Sequence, residues 1–126
     1  MERWSVGRAH RRLVVWQRAM ELTIEARALA QRLPASERFD LARQLTRAAC
    51  SVPANIAEAN GRHHRGDQVR FLSVARGSLM ELDTHLEIAE RSGYLSESDL
   101  GRSRALIDNI SLLIARLTRS VSPGRT

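Results

Sequence analysis

The stretch Ser36-Glu37-Arg38-Phe39-Asp40-Leu41-Ala42-Arg43-Gln44-Leu45-Thr46-Arg47-Ala48-Ala49-Cys50-Ser51-Val52-Pro53-Ala54-Asn55-Ile56-Ala57-Glu58-Ala59-Asn60-Gly61 decides the fold. Leu41, Leu45, Ala48, Val52 and Ile56 recur at spacings of four, three, four and four. That rhythm gathers them on one stripe of a helix, whereas a strand would divide them between two faces. Ser36 is a candidate N-cap with Glu37 in the first turn. Asn60-Gly61 is a left-handed stop signal. Pro53 lacks an amide hydrogen, and its ring presses on the carbonyl four residues earlier. Ile56 and Ala57 carry the apolar face past it, so the reading is a helix that kinks near Pro53 and continues.

The same rhythm flanks this stretch. Val15, Ala19, Leu22, Ala26, Leu29 and Leu33 predict a helix from about Leu13 to Leu33, stopped by Pro34. Leu72, Ala75, Leu79, Leu82, Leu86 and Ala89 predict a third, from about Asp67 to Arg91, ended by Ser92-Gly93. Tyr94-Leu95 is expected to pack across that turn, and Gly77, in mid-helix, to mark a close helix crossing. Ser96 and Asp99 form a capping-box pattern at the start of a fourth helix. Leu106, Ile110, Leu113 and Leu117 carry its stripe to about Ser120. Short links make sequential helices antiparallel neighbours. The expected fold is all-α, an antiparallel up-down-up-down four-helix bundle. One domain spans residues 1–126, with an ordered core over about 13–120 and loosely ordered termini.

Composition agrees. The chain has 126 residues, of which 43% are hydrophobic and only 4% aromatic, so the core must be largely aliphatic. Abundant Leu, Ala, Arg and Glu suit long helices. Three Pro and seven Gly are too few for a many-stranded β fold. No uncharged apolar run reaches membrane-span length, and no apolar segment follows the N-terminal arginines as a secretory signal requires. The lone Cys50 permits no internal disulfide and no cysteine-based zinc cage. A cytoplasmic protein without membrane contact is expected.

All 20 basic residues are arginine, and the net charge is +6. The charge is uneven. Residues 1–12 hold Arg3, Arg8, Arg11 and Arg12 against Glu2, and residues 60–76 hold Arg62, Arg65, Arg70 and Arg76 against Asp67. Residues 77–100 are acidic, with Glu81, Asp83, Glu87, Glu90, Glu97 and Asp99 against Arg91. Such a split gives a basic side that can meet a polyanion. The candidate nucleic-acid-binding residues are therefore Arg62, Arg65, Arg70, Arg76, Arg11 and Arg12. Guanidinium groups bind phosphate through two parallel hydrogen bonds. Stacking platforms are scarce: only Trp4 and Trp16 would serve, and Trp16 also suits a core position. Binding would be backbone-driven and salt-sensitive.

A second polar group lies close to the apolar stripes. Gln44, Arg47, Ser51, Asn55 and Glu58 share one helix face, as do Ser78, Glu81 and His85 on the next helix. Their structural reading is a polar network of Arg47, Ser51, Asn55, Glu58, Ser78 and Glu81. In it, Arg43 or Arg47 pairs with Glu58 or Glu81, and Asn55 bonds the backbone that Pro53 frees. A metal centre of Glu58, Glu81 and His85 is a weaker reading. Carboxylate-bridged bundles place Glu and His three apart on each of two helices, and here the spacing is four with no second pair. His63 and His64 in the loop are expected to face water. Cys50 reads as a small buried hydrophobe, and neither a metal nor a cofactor is expected.

Leu13-Val14-Val15-Trp16-Gln17-Arg18-Ala19, Gln44 to Glu58 with its Ser-Val-Pro-Ala-Asn-Ile-Ala-Glu string, and Phe71 to Leu82 resemble the 23S rRNA intervening-sequence protein family. The similarity covers about residues 13–118. The family pattern has Gly where Ala59 stands. The resemblance implies a four-helix bundle that assembles into a homopentameric ring, and no known reaction. More distantly, the chain is similar to the accessory variability determinant of diversity-generating retroelements, a basic pentamer that works with a reverse transcriptase and nucleic acid; a shared fold carries such a role by analogy only. The reading is a non-enzymatic oligomer that binds RNA or DNA through its arginine-rich surface. The alternative is a structural or adaptor oligomer that binds another protein, its charge split serving assembly.

Overall fold

The structure, a computed structural model, describes residues 7–121. The loose ends expected outside that range, and Trp4 with them, lie beyond the described residues. Four helices carry the fold: α1 (Val14–Gln31), α2 (Leu41–Gly61), α3 (Arg65–Arg91) and α4 (Glu97–Val121). Among the described residues there is no strand. Each helix packs on its neighbour in sequence, and α1 also packs on α4. This is the arrangement of a four-helix bundle. No helix among the described residues is long and apolar enough to cross a membrane.

The expected stripes of α1, α2 and α3 are all buried, from Val15 through Leu33, Leu41 through Ile56 and Leu72 through Ala89. Each fully buried Leu or Ile removes apolar surface from water, contributing roughly 1.5–3 kcal/mol. The fourth stripe differs from expectation. Leu100, Ser103, Ile107, Ile110 and Ile114 face the core, and Leu106, Leu113 and Leu117 are half-buried on its flank. The buried set also follows a three-four rhythm, but Ser103 occupies one position and disguises it.

Several boundaries shift. Residues Ala35–Glu37 form a separate 3-10 turn, and α2 begins at Leu41 after Asp40, so Ser36 caps nothing. Gly61 is the last residue of α2 without a left-handed backbone, and the chain leaves through extended Arg62. Three residues, 62–64, then turn it into α3, which starts at Arg65. Residues Ala9–Arg12, expected to be loose, form a 3-10 turn packed on α1 and α2.

The helix stop at Ser92-Gly93 is as read. Gly93 has φ +82°, a conformation that suits glycine, and the Tyr94 amide donates to the Ala89 carbonyl. Tyr94 then crosses the turn, its hydroxyl donating to Glu37 Oε2 at 2.9 Å. That hydrogen bond and the carboxylate charge raise the phenol above its usual range. The capping box at α4 also forms: the Asp99 amide donates to Ser96 Oγ (3.2 Å), and the Ser96 amide donates to Asp99 Oδ2 (2.8 Å).

Pro53 sits inside α2, and the helix continues past it to Gly61. Its missing amide would have bonded the Ala49 carbonyl. That carbonyl instead accepts from Thr23 Oγ1 of α1 at 3.0 Å, in a buried position. Thr23, not Asn55, therefore serves the freed backbone.

Arginines of α4 fasten it to both neighbours. Arg32, just past α1, meets Asp99 at 3.0 Å, and Arg102 reaches Glu21 (3.5 Å) and Glu25 (3.8 Å). On the other side Arg104 bonds Glu87 (2.9 Å) and Glu90 (2.7 Å). Much of the acidic segment is thus neutralised within the chain.

Candidate nucleic-acid interface

The turn from α2 into α3 gathers Arg62, Arg65 and Arg70 at one end of the bundle. Arg62 Nη2 donates to Glu58 Oε2 at 2.9 Å, and its guanidinium carbon lies 4.6 Å from the centroid of the Phe71 ring. Arg70 lies 4.5 Å from the same centroid, with Asp67 Oδ1 at 3.8 Å. Phe71 is half-buried against the core, so its ring is a fixed support for two cations. Arg65 has no carboxylate partner among the described residues and is exposed. The loop is braced by Gln68 Nε2, which donates to the Arg62 carbonyl at 2.9 Å. His63 and His64 are exposed beside it.

The 3-10 turn carrying Arg11 and Arg12 packs on α2, and a shallow depression lined by His10, Glu58 and Arg62 joins it to this end. Gln17 Nε2 holds the turn through the Arg11 carbonyl at 2.9 Å. Arg76 stands apart. It is exposed eleven residues beyond Arg65, about 16 Å along α3 at ~1.5 Å per residue. Trp16 packs against the core with its ring edge-on to His10, centroids 5.2 Å apart.

Of the six residues read as one polar network, three are brought together. Ser51 Oγ and Ser78 Oγ are 2.7 Å apart, Asn55 Nδ2 donates to Ser51 Oγ (3.0 Å) and to the Ser51 carbonyl (2.8 Å), and Ser78 Oγ donates to the Val74 carbonyl (3.1 Å). Each hydroxyl has one proton, so Ser51 donates to Ser78. The other three go elsewhere. Glu58 pairs with Arg62, Glu81 lies on the exposed side of α3 with Oε1 3.5 Å from His85 Nε2, and Arg47 has no hydrogen-bonding partner among the described residues. Glu58 sits near Phe71, roughly 15 Å along α3 from Glu81. No group of three metal-ligating side chains stands together among the described residues. Cys50 is half-buried rather than fully buried.

The surface also holds features that the sequence reading passed over. Arg43 and Arg47 stand between two open grooves. One, of about 530 Å³, lies between α2 and α3 beside Phe39, Gln44 and Glu81. The other, of about 550 Å³, lies between α1 and α2 and adds Arg27 and Arg38 to the same pair. Arg43 and Arg47, four apart with only Asp40 as an acid three or four residues from either, were a readable signal of it. On α3, Val74 and Met80 flank Gly77 in sequence and Ile88 lies eleven residues beyond it, each about half exposed. A Cβ on Gly77 would meet nothing within 4 Å, so this glycine marks no helix crossing within the chain.

A family model for the 23S rRNA-intervening sequence protein matches residues 11–116. The chain belongs to this family. The matched segment runs from the 3-10 turn into α4 and includes the whole arginine-rich turn between α2 and α3. The chain is also similar to a crystal structure, at 1.70 Å, of a protein with unknown function from the S23 ribosomal protein family of Bacteroides thetaiotaomicron VPI-5482. The TM-score is 0.78 at 23% identity, over 84% of this chain and 99% of that one, which speaks for a shared fold. No curated protein matches the sequence.

Proposed function

We propose that this member of the 23S rRNA-intervening sequence protein family is a cytoplasmic, non-enzymatic oligomer that binds the phosphate backbone of RNA or DNA. The observation that carries the reading is the pairing of Arg62 and Arg70 on Phe71, at 4.6 and 4.5 Å, with Arg65, exposed and without a carboxylate partner among the described residues, between them in sequence. A ring that supports two guanidinium groups reduces the freedom they lose on binding. Their planes offer stacking surfaces for unpaired bases, and their N–H groups offer forks for phosphate. Arg11 and Arg12 extend the basic end through the N-terminal turn.

The test is fluorescence anisotropy of a labelled RNA and a labelled DNA across a salt series, with protein stripped of co-purified nucleic acid. Micromolar or tighter binding is expected, weakening steeply with salt by about 0.7–0.9 in log–log slope per phosphate contact. Changing Arg62, Arg65 and Arg70 together to Gln should abolish it at unchanged oligomer mass. No binding at low salt would overturn the reading.

A second reading rests on the α3 outer face. Val74, Met80 and Ile88, each about half exposed along α3, favour a contact with another protein chain. In that reading the protein is a structural or adaptor oligomer, a pentamer by family resemblance. Loss of the oligomer on Met80→Glu, with nucleic acid never bound, would favour it.

A further inference from the structure

We infer that the groove between α1 and α2 is a binding site for a small polyphosphorylated ligand, gripped by Arg27, Arg38, Arg43 and Arg47. The site is separate from the arginine-rich turn of the proposed function. Arg43 and Arg62 are nineteen residues apart on or just past α2, about 28 Å at ~1.5 Å per residue.

Charge carries the argument. Three elements contribute: Arg27 from α1, Arg38 from the link after the 3-10 turn, and Arg43 and Arg47 from α2. None of the four has a carboxylate partner among the described residues, and no carboxylate lines the groove. Of the acids nearest in sequence, Glu37 accepts from Tyr94 at 2.9 Å, and Asp40 accepts from Gln44 Nε2 at 2.8 Å on the side of the neighbouring groove. Arg43 and Arg47 lie four apart on one helix face, an arrangement that repels itself without a counter-charge. Elsewhere the chain pairs its interhelical arginines, as with Arg32, Arg102 and Arg104. Arg27, Arg38, Arg43 and Arg47 are instead gathered around one concavity.

Shape sets the size of the ligand. About 550 Å³ is the volume of a small-molecule site rather than of a strand-tracking channel. Ala30, Leu33, Pro34 and Ala42 give it apolar, low-dielectric walls that focus the field of the cations. Guanidinium forks match phosphate oxygens two at a time, so four of them suit a chain of two or three phosphates better than one isolated phosphate. The shared Arg43 and Arg47 also open onto the second groove, where Asp40 and Glu81 disfavour phosphate and Phe39, 80% exposed with the Arg38 guanidinium 5.9 Å from its centroid, offers a ring to an organic portion of the ligand.

The test uses the intact protein and sodium tripolyphosphate. Phenylglyoxal modification of arginine, mapped by peptide mass spectrometry, is compared with and without tripolyphosphate, with sodium chloride matching ionic strength. Arg27, Arg38, Arg43 and Arg47 should react without the ligand and be protected at least five-fold with it, while Arg62, Arg65 and Arg70 react equally in both. Calorimetry should show one saturable site per chain, weakened at least ten-fold in Arg43→Gln/Arg47→Gln and retained in Arg62→Gln/Arg65→Gln/Arg70→Gln. Absence of protection in the unaltered protein would overturn the inference. So would arginines already unreactive without ligand, which would place them in a contact between subunits. Protection by RNA alone would overturn the small-ligand assignment.

Discussion

Thr23 on α1 donates its hydroxyl to the Ala49 carbonyl on α2 at 3.0 Å, filling the place of the amide that Pro53 lacks. The same oxygen is 2.8 Å from the Ala19 carbonyl, so one proton serves two acceptors. A weakness in one helix is thereby covered by its neighbour, and the register of α1 on α2 is tied to a single hydroxyl.

Thr23→Val keeps the shape and removes the donor, leaving a buried carbonyl unsatisfied. A loss of about 1–3 kcal/mol is expected by urea denaturation. Made in a Pro53→Ala background, where the helix supplies its own amide, the same change should cost less than about 1 kcal/mol. Equal costs in both backgrounds would disprove the coupling.

Gly77 is exposed in mid-helix with open space where a Cβ would stand. Gly77→Ala should raise stability by about 0.5–1 kcal/mol through lower chain entropy and better helix propensity. A fall in stability together with a smaller oligomer mass would mean that another chain closes on this face.

The fourth helix distinguishes two registers that its sequence alone leaves close. Ile110→Ala should cost about 2–5 kcal/mol, since the side chain is fully buried. Leu106→Ala, on the half-buried flank, should cost clearly less. Comparable losses would show that α4 sits rotated from the arrangement described.

Asp99 is held below its ordinary value of 3.8 by hydrogen bonds from the Ser96 amide and hydroxyl, and then by Arg32. Glu87 is held below 4.5, first by its hydrogen bond from Arg91 and then by Arg104. A lowered carboxyl stabilises the fold above its unfolded value, and that contribution is lost as pH falls through the folded value. Carboxyl NMR titration should place both midpoints below the ordinary figures. Asp99→Asn should flatten the fall in stability below about pH 4; an unchanged acid limb would remove the cap from the account.

Three of the four stripes were readable in the sequence because unbroken runs of aliphatic residues, mostly leucine and alanine, define them. The fourth was misread because leucine outnumbers isoleucine in the second half of α4, while the buried line runs through Ser103. Its hydroxyl is fully buried and has no partner among the described residues, a placement no periodicity rule would choose. Thr23 was hidden for another reason: its acceptor is twenty-six residues away, so only packing reveals it. Likewise Glu58 and Glu81, both near polar faces in sequence, separate once α2 and α3 run past one another at Ser51 and Ser78. The Phe71 pairing was unreadable as a platform, since its two cations come from opposite sides of the turn.

The three-residue link between α2 and α3 has a consequence for how the chain reaches this state. Closing so short a loop costs little entropy, and the two helices it joins share the broadest contact in the bundle. Their hairpin is the natural first structure in folding, with α1 and α4 condensing on it later. Ile56→Val should then slow folding, whereas Ile110→Val should mainly speed unfolding. The reverse pattern would place the nucleus elsewhere. On this order the arginine-rich corner exists before the bundle closes, and a polyanion present during synthesis would meet it first.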